Sequence, residues 1–269
     1  MLTKGGFAFA FTINFFPWLS DICQLLNITY ISLIVDSPVL ELYSNAISNP
    51  VNRIFLFDKM LYEEFEQYNK GHIFHMPLAA NTSRTDEIIS LASYSDKKKY
   101  ASDISFIGST YQEKCPFNNA VLSDYERGFV DGIINAQIGV FGFNFIESML
   151  TEDMAEKLLE SIPDHYEFPA SSRKNIKALV AQYYLSVKVA EQERLRMLRM
   201  LSDNFNVDIY TGSDTSGMPD IHNRGFAKSL TEMPLYLITA KSISISLQNQ
   251  SALDYLLEYL MFLAVAVSL

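Results

Sequence analysis

The chain has 269 residues and a formal charge of −10, from 21 basic and 31 acidic side chains; 49% of its residues are apolar and 19% charged. That supplies a sizeable core and excludes intrinsic disorder, collagen and coiled-coil composition. The acidic balance repels phosphate backbones, so no nucleic-acid partner is expected, and two cysteines, Cys23 and Cys115, cannot alone make a disulfide framework or a zinc site. Free thiols in a reducing compartment follow.

The opening segment carries Lys4 and an apolar stretch but no small-residue cleavage site, so a cytoplasmic protein is expected. Residues 7–13 (FAFAFTI) read as a buried strand. Pro17 suits a first helical turn and opens a helix through residue 26. Residues 30–35 (YISLIV) are short, β-rich and continuously apolar, like a strand buried on both faces. After Asp36-Ser37-Pro38, residues 39–47 read as a helix. Residues 53–57 (RIFLF) form a second both-faces-buried strand, Asp58 caps a helix at 59–66, and residues 72–76 are a short strand. Strands alternating with helices in this way predict βαβ units and a parallel sheet with helices on both faces. Four strands are few for a complete doubly wound domain, so a preceding N-terminal piece is expected.

Residues 83–102, with the charge run Asp96-Lys97-Lys98-Lys99, read as a solvated linker, a phosphate-binding patch being the sharper alternative. Residues 103–107 (DISFI) are a strand followed at once by Gly108-Ser109. Helices then dominate from about 118 to 203. In the last of them Ile176, Leu179, Val180, Tyr183, Val187, Ala190, Arg194, Leu198 and Leu201 recur at spacings of three and four. They make the apolar stripe of an amphipathic helix whose polar face carries Glu191, Glu193 and Arg196. Strands return at 207–211 (VDIYT) and 243–247 (ISISL), giving a second α/β domain, 103–248, with a helical insertion after its first strand. The run from Tyr259 to Leu269 is apolar but too short for the roughly 20 residues of a membrane span, and Glu258 interrupts it, so no transmembrane segment is predicted.

No phosphate-loop, dinucleotide, serine-hydrolase or zinc-protease motif is present. His72 and His75 sit at odd spacing in a strand pattern, which places them on opposite faces and argues against a shared metal. His165 falls in a polar loop and reads as solvated. Asp36 follows a strand at its carboxyl end, where α/β sheets place chemistry. It is a candidate general base or acceptor-binding group, and it or Ser37 equally suits a helix cap. Asn14 has the same location after the first strand. Gly108 and Ser109 form a modest phosphate-loop candidate, since glycine lets backbone N–H groups approach an anion. His222, in the Gly/Pro/Asp-rich stretch 217–225, is a loop residue of interest.

Taken together, NFFPWLSDICQLLNITYISLIVDSPVLELYS, NRIFLFDKMLYEEF, HMPLAAN, DISFIGSTYQEKCPF and VDIYTGSDTSGMP…LTEMPLY resemble the bacterial CgeB-like (spore maturation protein) family of glycosyltransferase-like proteins, over most of residues 14–247. The resemblance implies a GT-B architecture, two Rossmann-like domains across a cleft, with the acceptor on the first (residues 1–82) and a nucleotide-sugar donor on the second. It implies no bound metal and no other cofactor, helix N-termini and basic side chains stabilising the leaving diphosphate. By resemblance Gly108, Ser109, His222, Asn223 and Arg224 bind the donor. Asn14, Asp36 and Ser37 line the acceptor side, with Asp36 the catalytic candidate.

Relatives begin with further βα units and continue past ISISL with a segment like R-I-F-D-x-L-G-C-G-G-F, whose acid matches a donor-ribose carboxylate. Both domains are therefore expected to be incomplete, and a protein of this length to be weak or inactive in transfer. Residues 249–269 instead read NQSALDYLLEYLMFLAVAVSL. One permitted codon choice for that tail, shifted by one base, gives PISSRLSFRIFDVLGCGGFS, so a frameshift is expected and the coding DNA decides it. The alternatives to a glycosyltransferase are a non-catalytic α/β binding or scaffold protein of a spore or cell-surface layer, and a tail-anchored protein.

Overall fold

A computed structural model describes residues 7–79, 81–140, 142–226 and 240–243. The described chain is α/β, with two sheets in which every paired strand is parallel. The first sheet takes β1 (Phe9–Ile13), β2 (Thr29–Ile34), β3 (Asn52–Leu56) and β4 (Ile73–His75) in the order in which they occur in the chain. Helix α1 (Pro17–Leu26) links the first pair; it starts on Pro17 and ends on Asn27 in the left-handed region, whose N–H reaches back to the last carbonyls. Helix α2 (Lys59–Phe65) links β3 to β4, and Asp58 caps it by accepting from the Met60 N–H.

Parallel crossovers are right-handed, so a sheet that grows in one direction only carries all its connections on one face. The burial pattern agrees. Tyr30, Ile34, Ile54 and Leu56 are fully buried on that face. On the other, Phe9, Phe11 and Ile13 are about half exposed, and Ile31, Leu33, Phe55 and Phe74 only partly covered. Phe55 and Phe74 stack there at 5.1 Å. The expectation that residues 30–35 and 53–57 are buried on both faces is thus corrected, as is that of a buried first strand: β1 is an edge strand. Continuous apolar runs cannot distinguish a sheet wound on both sides from one wound on one side.

One further expectation changes. Residues 39–47 form not one helix but two 3₁₀ turns, Leu40–Tyr43 and Asn45–Ser48, separated by Ser44 in extended backbone, whose hydroxyl accepts from the Ala46 N–H. The span 83–102, read as a solvated linker, carries two short helices: α3 (Thr82–Leu91) is capped by Asn81, and α4 (Tyr94–Lys99) by a reciprocal box between Ser93 and Asp96. Both present mostly exposed residues, and Ile88 and Ala92 pack on buried Tyr100 and Tyr210.

The second sheet has the order β7-β6-β5-β8, from β5 (Ser102–Ile107), β6 (Val207–Tyr210), β7 (Ile221–Asn223) and β8 (Ala240–Ile243). Residues 244–247 of the expected last strand, and the tail 249–269, lie outside the described residues. Between β5 and β6 come α5 (Asp124–Ile138), α6 (Ile146–Met149), α7 (Glu152–Glu160) and α8 (Ile176–Ala178), which runs through a π-helical segment, Leu179–Leu185, into α9 (Ser186–Ser202). In the wider π turn the Ser186 hydroxyl donates to the Ala181 carbonyl at 2.8 Å and accepts from the Asn144 amide at 2.8 Å.

The insertion packs where its chain position would not place it. Its buried residues, among them Ile133, Ile146, Leu158, Val180 and Leu185, belong to the same core cluster as Tyr30, Ile54 and Phe65 of the first sheet. Ser44 and Ser172 form an antiparallel bridge, and the Arg173 guanidinium lies 3.8 Å from the Tyr68 ring. Tyr43 meets Phe65 and Phe168 edge-on, and its hydroxyl donates to Glu64 at 2.7 Å. The second sheet packs its own cluster of Ile104, Phe106, Val207 and Ile209 on Leu195 and Leu198 of α9. No helix among the described residues is long and apolar enough to cross a membrane.

Candidate functional site

Open parallel sheets present their polar residues to ligands at the carboxyl ends of the strands. In the first sheet, β1 ends in Asn14, held at φ 60 in the left-handed region that asparagine tolerates. Its N–H donates to the Leu33 carbonyl at 2.8 Å, its side-chain oxygen accepts from the Val35 N–H at 3.1 Å, and its side-chain amide donates to the Asp36 carboxylate. Asn14 therefore ties the ends of β1 and β2 together and aims Asp36, which is solvent-exposed. Ser37 donates to buried Asp58 at 3.2 Å. The structure thus joins Asn14 to Asp36, while Ser37 is held by Asp58. Asp36 caps nothing, because the first 3₁₀ turn begins after Val39 and has no side-chain cap.

The second sheet gathers a richer set. β5 ends in Gly108 at φ +148, a conformation L residues rarely adopt; a Cβ there would meet Phe106 and Arg194 at ordinary contact distance, so the backbone angle, not space, calls for glycine. The Gly108 N–H donates to the Tyr210 carbonyl at 3.2 Å, which sets this loop beside the end of β6. Ser109 accepts from the Tyr111 N–H at 2.8 Å and donates to Glu113 at 2.7 Å. Ser213, beyond β6, accepts from the Thr110 N–H at 3.0 Å and donates to the same oxygen of Glu113 at 3.1 Å. Partial burial pushes the Glu113 carboxyl up, but the hydroxyls of Ser109 and Ser213 and a backbone N–H outweigh it and hold the group below the usual carboxylate value.

Arg194, from α9, completes this cluster. It is 6% exposed, donates to the Ser109 carbonyl at 2.8 Å, and lies 4.3 Å from the Tyr111 ring and 5.9 Å from that of Phe106. A guanidinium held between two rings and a carbonyl places fixed positive charge at the glycine–serine loop. The sequence carried a signal for it: Arg194 is the charged member of an otherwise apolar stripe. The polar-face assignment of Glu191 is corrected, since Glu191 is buried against Lys188 at 2.8 Å and Asn118 at 2.9 Å. Glu193 is partly buried, and burial pushes its carboxyl up to about 7 against the opposing pull of Arg194.

His222, expected in a loop, is instead the middle residue of strand β7, and with Asn223 and Arg224 it lies on the far side of β6 from Gly108 and Ser109. His222 Nδ1 is 3.4 Å and Arg224 Nη2 3.0 Å from the carboxylate of buried Asp208, so both are tethered to β6 while remaining about half exposed. Asn223 donates to Thr215 at 3.2 Å and accepts from the Gly225 N–H at 2.8 Å. His75 ends β4 with a ring nitrogen 3.2 Å from the Phe57 carbonyl, and His165 a ring nitrogen 3.0 Å from that of Ile162, so His165 is tied to the backbone as well as to solvent. Among the described residues no group of three or more His, Cys, Asp or Glu side chains is placed to hold a metal ion. Cys23 and Cys115 are free and buried, and burial pushes the Cys115 thiol up to about 12.

A scan against protein-family models finds no match, and neither the curated proteins nor the solved structures include a significant similarity.

Proposed function

We propose that this chain is a glycosyltransferase-like protein of GT-B type, similar to the CgeB-like family, in which the second sheet binds a nucleotide-sugar and the first an acceptor. The observation that carries the reading is the buried Arg194 at the Gly108–Ser109 loop. Transfer from a nucleotide-sugar releases a diphosphate, and its charge develops as the glycosidic bond to the leaving group breaks. A preorganised cation and hydroxyl donors at a strand's carboxyl end stabilise that charge without reorganising. The Asp208-anchored side chains of His222 and Arg224, across β6 from the Gly108–Ser109 loop, suit the nucleotide end of the donor. Asp36, which accepts a hydrogen bond from Asn14, is the proposed acceptor of the proton from an acceptor hydroxyl.

Donor binding tests the reading directly. Calorimetry of this chain against uridine, guanosine and cytidine diphosphate sugars should find one that binds. Arg194→Met should weaken that binding by about tenfold or more, as expected for loss of a charge-assisted contact. Absence of binding to every nucleotide-sugar, or equal binding by the variant, would sink it.

A further inference from the structure

Glu113 does more than close a turn. Two hydroxyl groups from residues about a hundred positions apart, Ser109 after β5 and Ser213 after β6, converge on one oxygen atom, Glu113 Oε1, at 2.7 and 3.1 Å. Each is itself fixed. Ser109 accepts from the Tyr111 N–H, while Ser213 accepts from the Thr110 N–H and from the Thr211 hydroxyl at 3.1 Å. With their lone pairs engaged in this way, both hydroxyl protons are directed at a single acceptor. That acceptor is an exposed, ionised carboxylate, reaching back over the loop from a solvent-facing turn, with the Arg194 guanidinium on the Ser109 carbonyl. The point where Oε1 sits has the chemistry of an anion subsite: convergent hydroxyl donors from the loops after two strands, and a glycine that opens the first of those loops.

We infer that Glu113 Oε1 marks the position of a phosphoryl oxygen, and that the protein's own carboxylate holds the subsite until a diphosphate group displaces it. The inference rests on the donor assignment of this loop and adds to it the residues Ser213 and Glu113. A carboxylate and a phosphate cannot share the hydroxyl pair, because each serine has one proton to give and the two anions repel at contact distance. Glu113 is then a built-in competitor. It lowers affinity for any anion that needs the two hydroxyls, by the cost of displacing the carboxylate already in place.

The test uses the full chain and inorganic pyrophosphate as probe, alongside uridine diphosphate and the nucleotide-sugar panel. Glu113→Gln removes the charge and keeps the shape; far-UV dichroism and a melting curve check that the variant is folded. The expected result is about tenfold tighter pyrophosphate binding by Glu113→Gln than by the wild type. Adding Ser213→Ala to Glu113→Gln should abolish the gain. Pyrophosphate affinities for wild type and Glu113→Gln within about twofold of each other, or no binding by either, would overturn the inference. The two proposals separate cleanly. If pyrophosphate binds more tightly to Glu113→Gln but no nucleotide-sugar binds either protein, the anion subsite stands and the donor reading falls. If the wild type binds a nucleotide-sugar and Glu113→Gln leaves both affinities unchanged, the donor reading stands and Glu113 is no competitor.

Discussion

Asn52 is a polar group on the covered face of the first sheet. It is fully buried, its amide donates to the carbonyls of Ala46 at 2.8 Å and Ile47 at 3.1 Å, and its oxygen accepts from the Ser20 hydroxyl at 2.7 Å. One side chain thereby joins β3, the second 3₁₀ turn and α1. Asn52→Ala removes all three bonds, at about 1 kcal/mol net each, and leaves a small cavity worth about another 1 kcal/mol. The partners are not orphaned. The Ala46 carbonyl keeps Ser20 and the Asn49 N–H, the Ile47 carbonyl keeps Asn69 at 2.8 Å, and the Ser20 hydroxyl keeps the Asn49 amide at 3.0 Å. The large penalty of buried unsatisfied groups therefore does not apply, and the cost is about 3–4 kcal/mol. Asn52→Leu loses the same bonds but fills the space, so it should cost about 1 kcal/mol less than alanine. Urea denaturation, with the midpoint and slope fitted separately, measures both. A cost below about 1 kcal/mol for Asn52→Ala, or a leucine variant worse than alanine, would refute the reasoning.

Two further outcomes are expected. Burial raises the Glu193 carboxyl to about 7, and its Oε2 has no hydrogen-bond partner. Between the usual 4.5 and about 7 the folded chain holds a proton that the unfolded chain has released, so this group's contribution to stability falls as pH rises through that window. Glu193→Gln should flatten the decline in melting temperature between those values and raise it at neutral pH; an unchanged pH slope would show that Glu193 does not titrate there. Phe11, about half exposed on the open face of β1, can be replaced by lysine with a change in stability within about 0.5 kcal/mol. Dye binding by exposed apolar surface and self-association should both fall; a marked loss of stability with no change in dye binding would mean that the face is covered.

Most strand positions were legible because short β-branched and aromatic runs between Asn, Asp and Gly breakers have few other uses, but β7 lies in a stretch that read as a loop and β8 begins before residue 243. The parallel class followed from their alternation with helices. Which faces are covered was not legible. Tyr30 and Ile31 are both apolar, and only the order of strands in space buries one and leaves the other partly open. The helix expected at 39–47 failed because Ser44 offers its hydroxyl to the chain two residues on, a local bond that competes with helix continuation. At the site, Asn14, Asp36, Gly108 and Ser109 were visible from their positions after strands. Glu113 and Ser213 were not, since the Ser213–Glu113 contact joins residues far apart in sequence. Arg194 lay in view as a break in an apolar stripe, and spacing alone could not tell a buried cation from a surface one.

The helix that runs from α8 through the π turn into α9 has a consequence for how the molecule comes apart. Its first half is set in the core of the first sheet through Val180 and Leu185, and its second half in that of the other sheet through Leu195 and Leu198. A chain with two sheets ordinarily offers a seam, a stretch where few contacts cross and either side could be expressed alone. Here the connection at residues 83–102 resembles such a seam in sequence, yet a cut there leaves the first sheet without the helices that complete its interior. The same helix carries Arg194 on its second half. The glycine–serine loop, which Arg194 contacts, therefore rests on a helix whose first half is packed in the core of a sheet to which the loop does not belong.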